Sequence, residues 1–148
     1  MSTPIPDFTG EVEEDFVLDT LGGLVSGRVW ETQVPDDVDL DRLTDGGVKP
    51  YIIVRFAEPL ASAQGRNIAS GEQGQPQVLT FTVIVVGGDA NSVKRVSRKH
   101  RRLLVGTQPS SGATPIKSTG GFAFADSEAE SRPTRFKRTT FYRTIINK

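Results

Sequence analysis

Two stretches of this chain carry apolar side chains at the spacing of a helix with one buried face. In residues 11–25, acidic side chains also crowd the first turns, where the helix dipole favours negative charge, so a first helix is predicted there. Asp89 or Asn91 can cap a second helix that runs to about Val105, and Gly106 fits its C-terminal cap. The predicted inner stripe of this second helix comprises Val93, Val96, His100, Leu103 and Leu104.

Alternating and wholly apolar stretches predict five strands, and polar, glycine-rich segments separate them. The strands are expected over residues 28–34, 51–56, 78–86, 121–125 and 136–146. The third strand is apolar on both sides near Gly87, so that end should be buried on both faces. Residues 35–47, 60–77 and 107–120 are predicted to be loops.

The last predicted strand is rich in charge. Basic residues between Arg132 and Arg143 alternate there with Phe136, Phe141 and Tyr142. Such a strand suits a sheet edge that resists aggregation, and it equally suits a strand that packs against another subunit. The pattern leaves both interpretations open.

The element order α-β-β-β-α-β-β predicts an α+β fold, with a largely antiparallel mixed sheet, two helices packed on one face and long flexible loops. Residues 1–10 are expected to form a flexible N-terminal arm, and residues 11–148 a single domain of ordinary size. No apolar run approaches the roughly 18 residues of a membrane span, and the N-terminus does not resemble a signal peptide. We therefore expect a soluble protein with no membrane partner.

Charge is divided unevenly along the chain, although the formal net charge is zero. Residues 1–48 hold twelve acids and two bases, which gives −10, whereas the remainder holds sixteen bases and six acids, which gives +10. The two halves could pair within one fold or remain solvated. They could also pair between copies, in head-to-tail contacts that close into rings when the rotation allows.

Little in the sequence supports catalysis or cofactor binding. There is no cysteine, which excludes disulfides, thiol nucleophiles and cysteine zinc sites. The single histidine, His100, shares the apolar stripe of the second helix and is best interpreted as a core residue. The aspartates of residues 36–41 lack the central glycine and the closing glutamate of a calcium loop. We expect no enzyme, no cofactor and no metal site.

The second helix carries an unusual concentration of positive charge. Six bases fall within nine residues without an intervening acid: Lys94, Arg95, Arg98, Lys99, Arg101 and Arg102. This face could be solvated, could meet an acidic patch on another protein, or could bind nucleic acid. The third alternative is weakened because residues 94–102 contain no aromatic side chain and the whole chain is neutral.

Taken in order, the segments of the chain resemble the tail terminator family of long, non-contractile-tailed bacteriophages. After the first helix and a strand through Trp30 comes an acidic Pro-Asp turn at residues 34–37. The longer segments are PYIIVRF (50–56), LTFTVIVVGGD (79–89), NSVKRVSRKHRRLLVG (91–106) and RPTRFKRTTFYRTII (132–146). The resemblance covers residues 11–147 and rests on the order of the elements and on their pattern of apolar and charged residues.

The resemblance implies a virion structural protein that forms a hexameric ring. Such a ring caps the tail tube, ends its polymerisation and joins the tail to the head connector. The implied partners are a second copy of the chain, the tail tube protein and the connector or neck protein, while DNA passes through the lumen without specific recognition. The implied location is the head-proximal end of the virion tail, after assembly in the host cytoplasm.

Two sets of residues are expected to make these contacts. The lateral contact between subunits is expected to use Asp36, Asp37, Asp39 and Asp41 against Arg95, Arg98, Lys99 and Arg102. The loop facing the tube or connector is expected to include Arg66, Asn67, Glu72 and Gln75. Two other functions remain open: a neck or head-completion protein of the same virion, and a nucleic-acid-binding accessory protein that uses the basic helix.

Overall fold

A computed structural model describes residues 10–35, 48–57, 60–61, 76–122 and 135–146 of the 148-residue chain. In these ranges the chain forms two helices, α1 (Glu11–Gly22) and α2 (Ala90–Leu104). The strands are β1 (Val29–Glu31), β2 (Tyr51–Phe56), β3 (Leu60–Ala61), β4 (Gln77–Gly87), β5 (Lys117–Phe122) and β6 (Phe136–Ile146).

The six strands form one mixed sheet in the order β1-β2-β4-β6-β5, with β3 paired to the start of β4. β1 and β2 are parallel, and every other pair is antiparallel. Phe81 of β4 lies opposite Phe56 of β2 on one side and Tyr142 of β6 on the other. The predicted α+β class and the largely antiparallel mixed sheet are therefore confirmed.

Both helices pack on one face of this sheet. The apolar side of α1 and the inner side of α2 join alternate residues of β2, β4 and β6 in one core. The largest side chains in this core include Leu21, Ile52, Phe81, Leu104 and Tyr142, each at most 2% exposed. Burial of these apolar side chains is the main stabilising contribution to the fold.

The opposite face of the sheet carries a smaller apolar cluster near the ends of β2 and β4. Val86 and Tyr51 are buried there, and the Trp30 ring meets the Tyr51 ring edge to face at 5.8 Å. The predicted burial of β4 on both faces near Gly87 is thus confirmed.

The first strand is shorter than residues 28–34. Thr32 has φ 72, in the left-handed region that side chains rarely adopt, so the backbone turns away after Glu31. The Thr32 N–H still donates to the Val54 carbonyl at 2.8 Å. The predicted strand over residues 28–34 is therefore too long, mainly at its C-terminal end.

The fourth predicted strand, residues 121–125, begins four residues too late. β5 runs over Lys117–Phe122, so the predicted loop 107–120 ends earlier than expected. Residues before β5 are held by backbone bonds from Gly106 N–H to the Ile116 carbonyl and from Ile116 N–H to the Thr107 carbonyl, at 2.9 and 3.0 Å. Ile116 is fully buried, so this segment belongs to the core.

The last strand matches its predicted bounds, but it does not lie at an edge. β6 pairs with β4 along its whole length and with β5 on its other side. The interpretation of this strand as a charged sheet edge is therefore wrong. The edges of the described sheet are β1 and β5.

Candidate functional site

The basic helix α2 begins at a well-formed cap. The Asp89 carboxylate accepts hydrogen bonds from the Ser92 hydroxyl at 3.0 Å and from the Asn91 N–H at 3.2 Å. These bonds, with the Ser92 bond contributing most, hold the pKa of Asp89 below its usual value. Of the two predicted capping residues, Asp89 is therefore the one used.

The buried side of α2 differs from the predicted stripe at two positions, Ser97 and Leu103. Val93, Ser97, His100 and Leu104 are buried and Val96 is half-buried, whereas Leu103 is 45% exposed. At about 100° per residue, the four buried residues point within about 60° of one another, and Leu103 points about 90° away from their mean direction. The small Ser97 takes the inward position one turn before Arg101.

His100 is a core residue, as predicted. Its Nδ1 lies 2.7 Å from the Tyr142 hydroxyl, and the two rings meet edge to face at 5.7 Å. Burial lowers the pKa of His100 to about 4 and raises the pKa of Tyr142. A neutral imidazole hydrogen-bonded to a neutral phenol stabilises the contact between α2 and β6.

An open cleft of about 450 Å³ lies between α2 and strands β5 and β6. Ser97, Arg98 and Arg101 line it from the helix, and Ser118 and Arg138 line it from the strands. Gly120 and Gly121 of β5 line the cleft without side chains. At Gly121 β5 passes so close to β6 that a Cβ would lie 2.6 Å from the Thr139 carbonyl oxygen. The cleft thus gathers side chains from three elements that are distant in the sequence.

The charge and hydrogen-bonding capacity of this basic cleft favour an anion. Three guanidinium groups line it, and its described lining contains no acid. Ser97 is 6% exposed, and its hydroxyl has no hydrogen-bond partner among the described residues. Guanidinium groups and hydroxyls together suit carboxylate or phosphate oxygens.

An acidic patch lies near the opposite edge of the sheet. Glu14 and Asp15 belong to α1, which contacts the edge strand β1, and Glu31 ends β1. Partial burial raises the pKa of Glu14, and the negative charges of Glu31, Asp15 and neighbouring glutamates raise it further. The carboxylates around Glu14 therefore form a concentrated negative patch.

The structure describes only four of the twelve predicted contact residues. Arg95, Arg98, Lys99 and Arg102 are exposed on α2, but Asp36, Asp37, Asp39 and Asp41 lie outside the described residues. The loop residues Arg66, Asn67, Glu72 and Gln75 also lie outside them. The pairing of the aspartates with α2 stays a prediction.

Sequence reasoning missed the basic cleft, and above all the contribution of Arg138. The alternation of β6 puts Arg138 on the same side as Tyr142, whose hydroxyl meets His100 of α2. The alternation is visible in the sequence, so the position of Arg138 on the helix-facing side of β6 could have been predicted. The pairing of β5 with β6, which supplies Ser118, carried no comparable signal.

Neither a metal-binding cluster nor a membrane-spanning helix is found among the described residues. No group of three or more histidine, aspartate or glutamate side chains there could hold a metal ion. No described helix is long and apolar enough to cross a membrane.

Comparison with solved structures gives a likeness over the whole chain. A chain from the virion of a native gene transfer agent particle superposes with a TM-score of 0.61 at 14% identity, covering 99% of this chain and 100% of that one. A second solved chain reaches a TM-score of 0.49 at 14% identity, with 93% and 92% coverage, and carries no argument here. No family model matches the sequence, and no curated protein matches it either. At this identity the likeness establishes a shared fold.

Proposed function

We propose that this protein is a virion structural protein, and specifically a tail terminator that forms a hexameric ring on the end of a tail tube. The ring ends tube polymerisation and then joins the tail to the head connector. The observation that carries the proposal is the whole-chain fold likeness to a chain of a gene transfer agent virion. The element order and segment texture that resemble tail terminators support the finer assignment.

The charge distribution fits a ring built from identical head-to-tail contacts. The acidic patch and the basic cleft lie at opposite edges of the described sheet, so the patch of one copy can meet the cleft of the next around a closed ring. The aspartates of residues 36–41 and the exposed bases of α2 would add to this lateral contact. Segment 66–75 would face the tube or the connector.

The proposal accounts for the lack of catalytic features among the described residues. Capping is steric and associative: one ring face copies the surface of a tube subunit, and the other face offers no such surface to the next subunit. Such a role needs shape and charge complementarity and requires no reactive group.

The direct test is tube polymerisation in the presence of this protein. Tube subunits of the same particle would be polymerised with and without the purified chain and imaged by negative-stain electron microscopy. The expected result is shorter tubes with a ring at one end. Unchanged tube length, with rings that bind the portal of filled heads, would instead support a neck or head-completion protein. Unchanged length with salt-sensitive DNA binding would favour the accessory protein.

A further inference from the structure

We infer that the basic cleft between α2, β5 and β6 is a receptor for the acidic patch of a second copy of this chain. Arg98, Arg101 and Arg138 would hold carboxylates of Glu14, Asp15 and Glu31 from the neighbouring copy. This inference rests on the proposed ring, and it names the two surfaces that close it.

The cleft has the features of a built oxyanion site. Its volume, about 450 Å³, lies in the range typical of binding sites and exceeds the space that one carboxylate fills. The Ser97 hydroxyl is almost fully buried at the cleft wall and lacks a partner among the described residues. Buried hydroxyls are normally hydrogen-bonded, so an incoming acceptor would satisfy a group that is otherwise costly to bury.

The bases of the cleft have no carboxylate partner in the described part of their own chain. The described lining of the cleft contains no acid, and β5 lies at the edge of the sheet. The acidic patch sits near the other edge, and three strand spacings, about 14 Å, separate β1 from β6, the strand that carries Arg138. Because direct ion pairs need contact distances, Glu31 of β1 cannot pair within one chain with Arg138.

Placement at opposite edges is what a ring requires. A contact between two different surfaces of identical chains is heterologous, and repeating it closes a ring when the rotation permits. Each copy would then offer its acidic patch to one neighbour and its basic cleft to the other. The chain has zero formal net charge, so a ring of identical copies accumulates no net charge as these contacts form.

A nucleic acid is a poorer occupant of the cleft. A polyanion would gain from Arg98 and Arg101, but the chain as a whole has no net positive charge to attract it. A neighbouring copy presents its acidic patch to this cleft and its own basic cleft to the next copy, as a ring requires.

Charge reversal and mixing test the inference. One variant carries Arg98→Glu and Arg101→Glu, and a second carries Glu14→Arg and Glu31→Arg. Each variant alone would juxtapose like charges, and we expect its self-association to weaken by about 100-fold or more at low salt. An equimolar mixture should recover assemblies of the wild-type mass, because each variant then meets its complement in an alternating ring.

A matched control reverses two charges outside the cleft and outside helix α2. Arg55→Glu on β2 with Lys117→Glu on β5 makes the same change in net charge at exposed positions that do not line the cleft. It should weaken association by less than a tenth as much as the cleft reversal. Circular dichroism and thermal melting of all variants establish that they remain folded, and mass is measured by light scattering.

Several outcomes would overturn the inference. Wild-type assembly by the cleft variant is one, and an equal loss in the control is another. Failure of the mixture to recover assembly would show that the two surfaces do not meet each other. Binding of a fluorescent DNA duplex that depends on Arg98 and Arg101 without assembly would assign the cleft to phosphate.

The same variants separate this inference from the proposed function. If the cleft variant still forms rings and shortens tail tubes, the cleft contact is wrong and the terminator function stands. If rings form and respond to charge reversal as expected but leave tube length unchanged, the contact stands and the terminator function is wrong.

Discussion

Acidification is expected to destabilise this protein through one buried residue, His100. The imidazole is fully buried between α2 and the sheet, with Nδ1 2.7 Å from the Tyr142 hydroxyl. Burial disfavours the charged form and lowers the pKa of His100 from 6.5 to about 4. In the unfolded chain the imidazole is in water and regains its ordinary pKa.

The sign and size of the effect follow from this difference. The unfolded chain binds a proton below its pKa of 6.5, whereas the folded chain resists protonation down to about 4. Stability is therefore full above pH 6.5 and falls through that window as the pH is lowered. Between about pH 7 and about pH 5 the free energy of unfolding should fall by about 2 kcal/mol from this residue alone.

Urea unfolding of the wild-type chain and of His100→Gln at both pH values measures this contribution, at one protein concentration. Carboxylates also titrate in this range, so the relevant quantity is the difference between the two proteins in their pH dependence. Tyr142→Phe is the control, since it removes the hydrogen bond at a cost of about 1 kcal/mol but keeps the buried imidazole. An equal loss of stability on acidification in the wild type and in His100→Gln would refute the reasoning.

Further changes test the backbone of the fold by thermal or urea unfolding. Gly121→Ala should destabilise by about 1–3 kcal/mol, because the added Cβ would lie 2.6 Å from the Thr139 carbonyl oxygen. Gly22→Ala is its matched control: nothing lies within 4 Å of that Cβ, so stability should stay the same or rise by up to about 1 kcal/mol. If Gly121→Ala and Gly22→Ala change stability equally, the close approach of Gly121 to the Thr139 carbonyl is wrong. Asp89→Ala should lower the melting temperature by removing the helix cap, and Asp89→Asn should retain most of it; equal melting temperatures for wild type and Asp89→Ala would contradict the cap.

Elements with strong internal periodicity could be predicted from the sequence. The bounds of β2 and β6 match the prediction. β2 is a short, almost wholly apolar run between Pro50 and Pro59, and β6 is rich in the aromatic and β-branched residues that favour strands. α2 could be predicted equally well, since its capping aspartate and its stripe are local features. Such elements can be predicted because the residues that determine them are close together in the sequence.

β5 could not be predicted in this way. Its sequence, KSTGGF, has no apolar alternation, and it is a strand because β6 offers an unpaired side along which it can bond. The early end of β1 likewise depends on the left-handed backbone at Thr32, which β-branched residues seldom adopt.

The candidate site was only partly accessible to sequence reasoning. The concentration of bases in α2 and the opposite charges of the two ends of the chain are visible directly. Which bases share a cleft depends on the strand order, which brings Arg138 beside α2 and sets β1 and β5 at opposite edges. Strand order results from tertiary packing, so the positions of the basic cleft and the acidic patch at opposite edges could not be predicted from local sequence patterns.

The mass of the wild-type chain in solution, measured by light scattering at low and high salt, tests the central claim most directly. The account predicts six copies of 16.1 kDa, about 97 kDa, at low salt, with ring images by negative stain. At high salt the assembly should weaken, because screening reduces the attraction between the acidic patch and the basic cleft. A monomer of 16.1 kDa at both salt concentrations, with no ring on tube ends, would contradict the account.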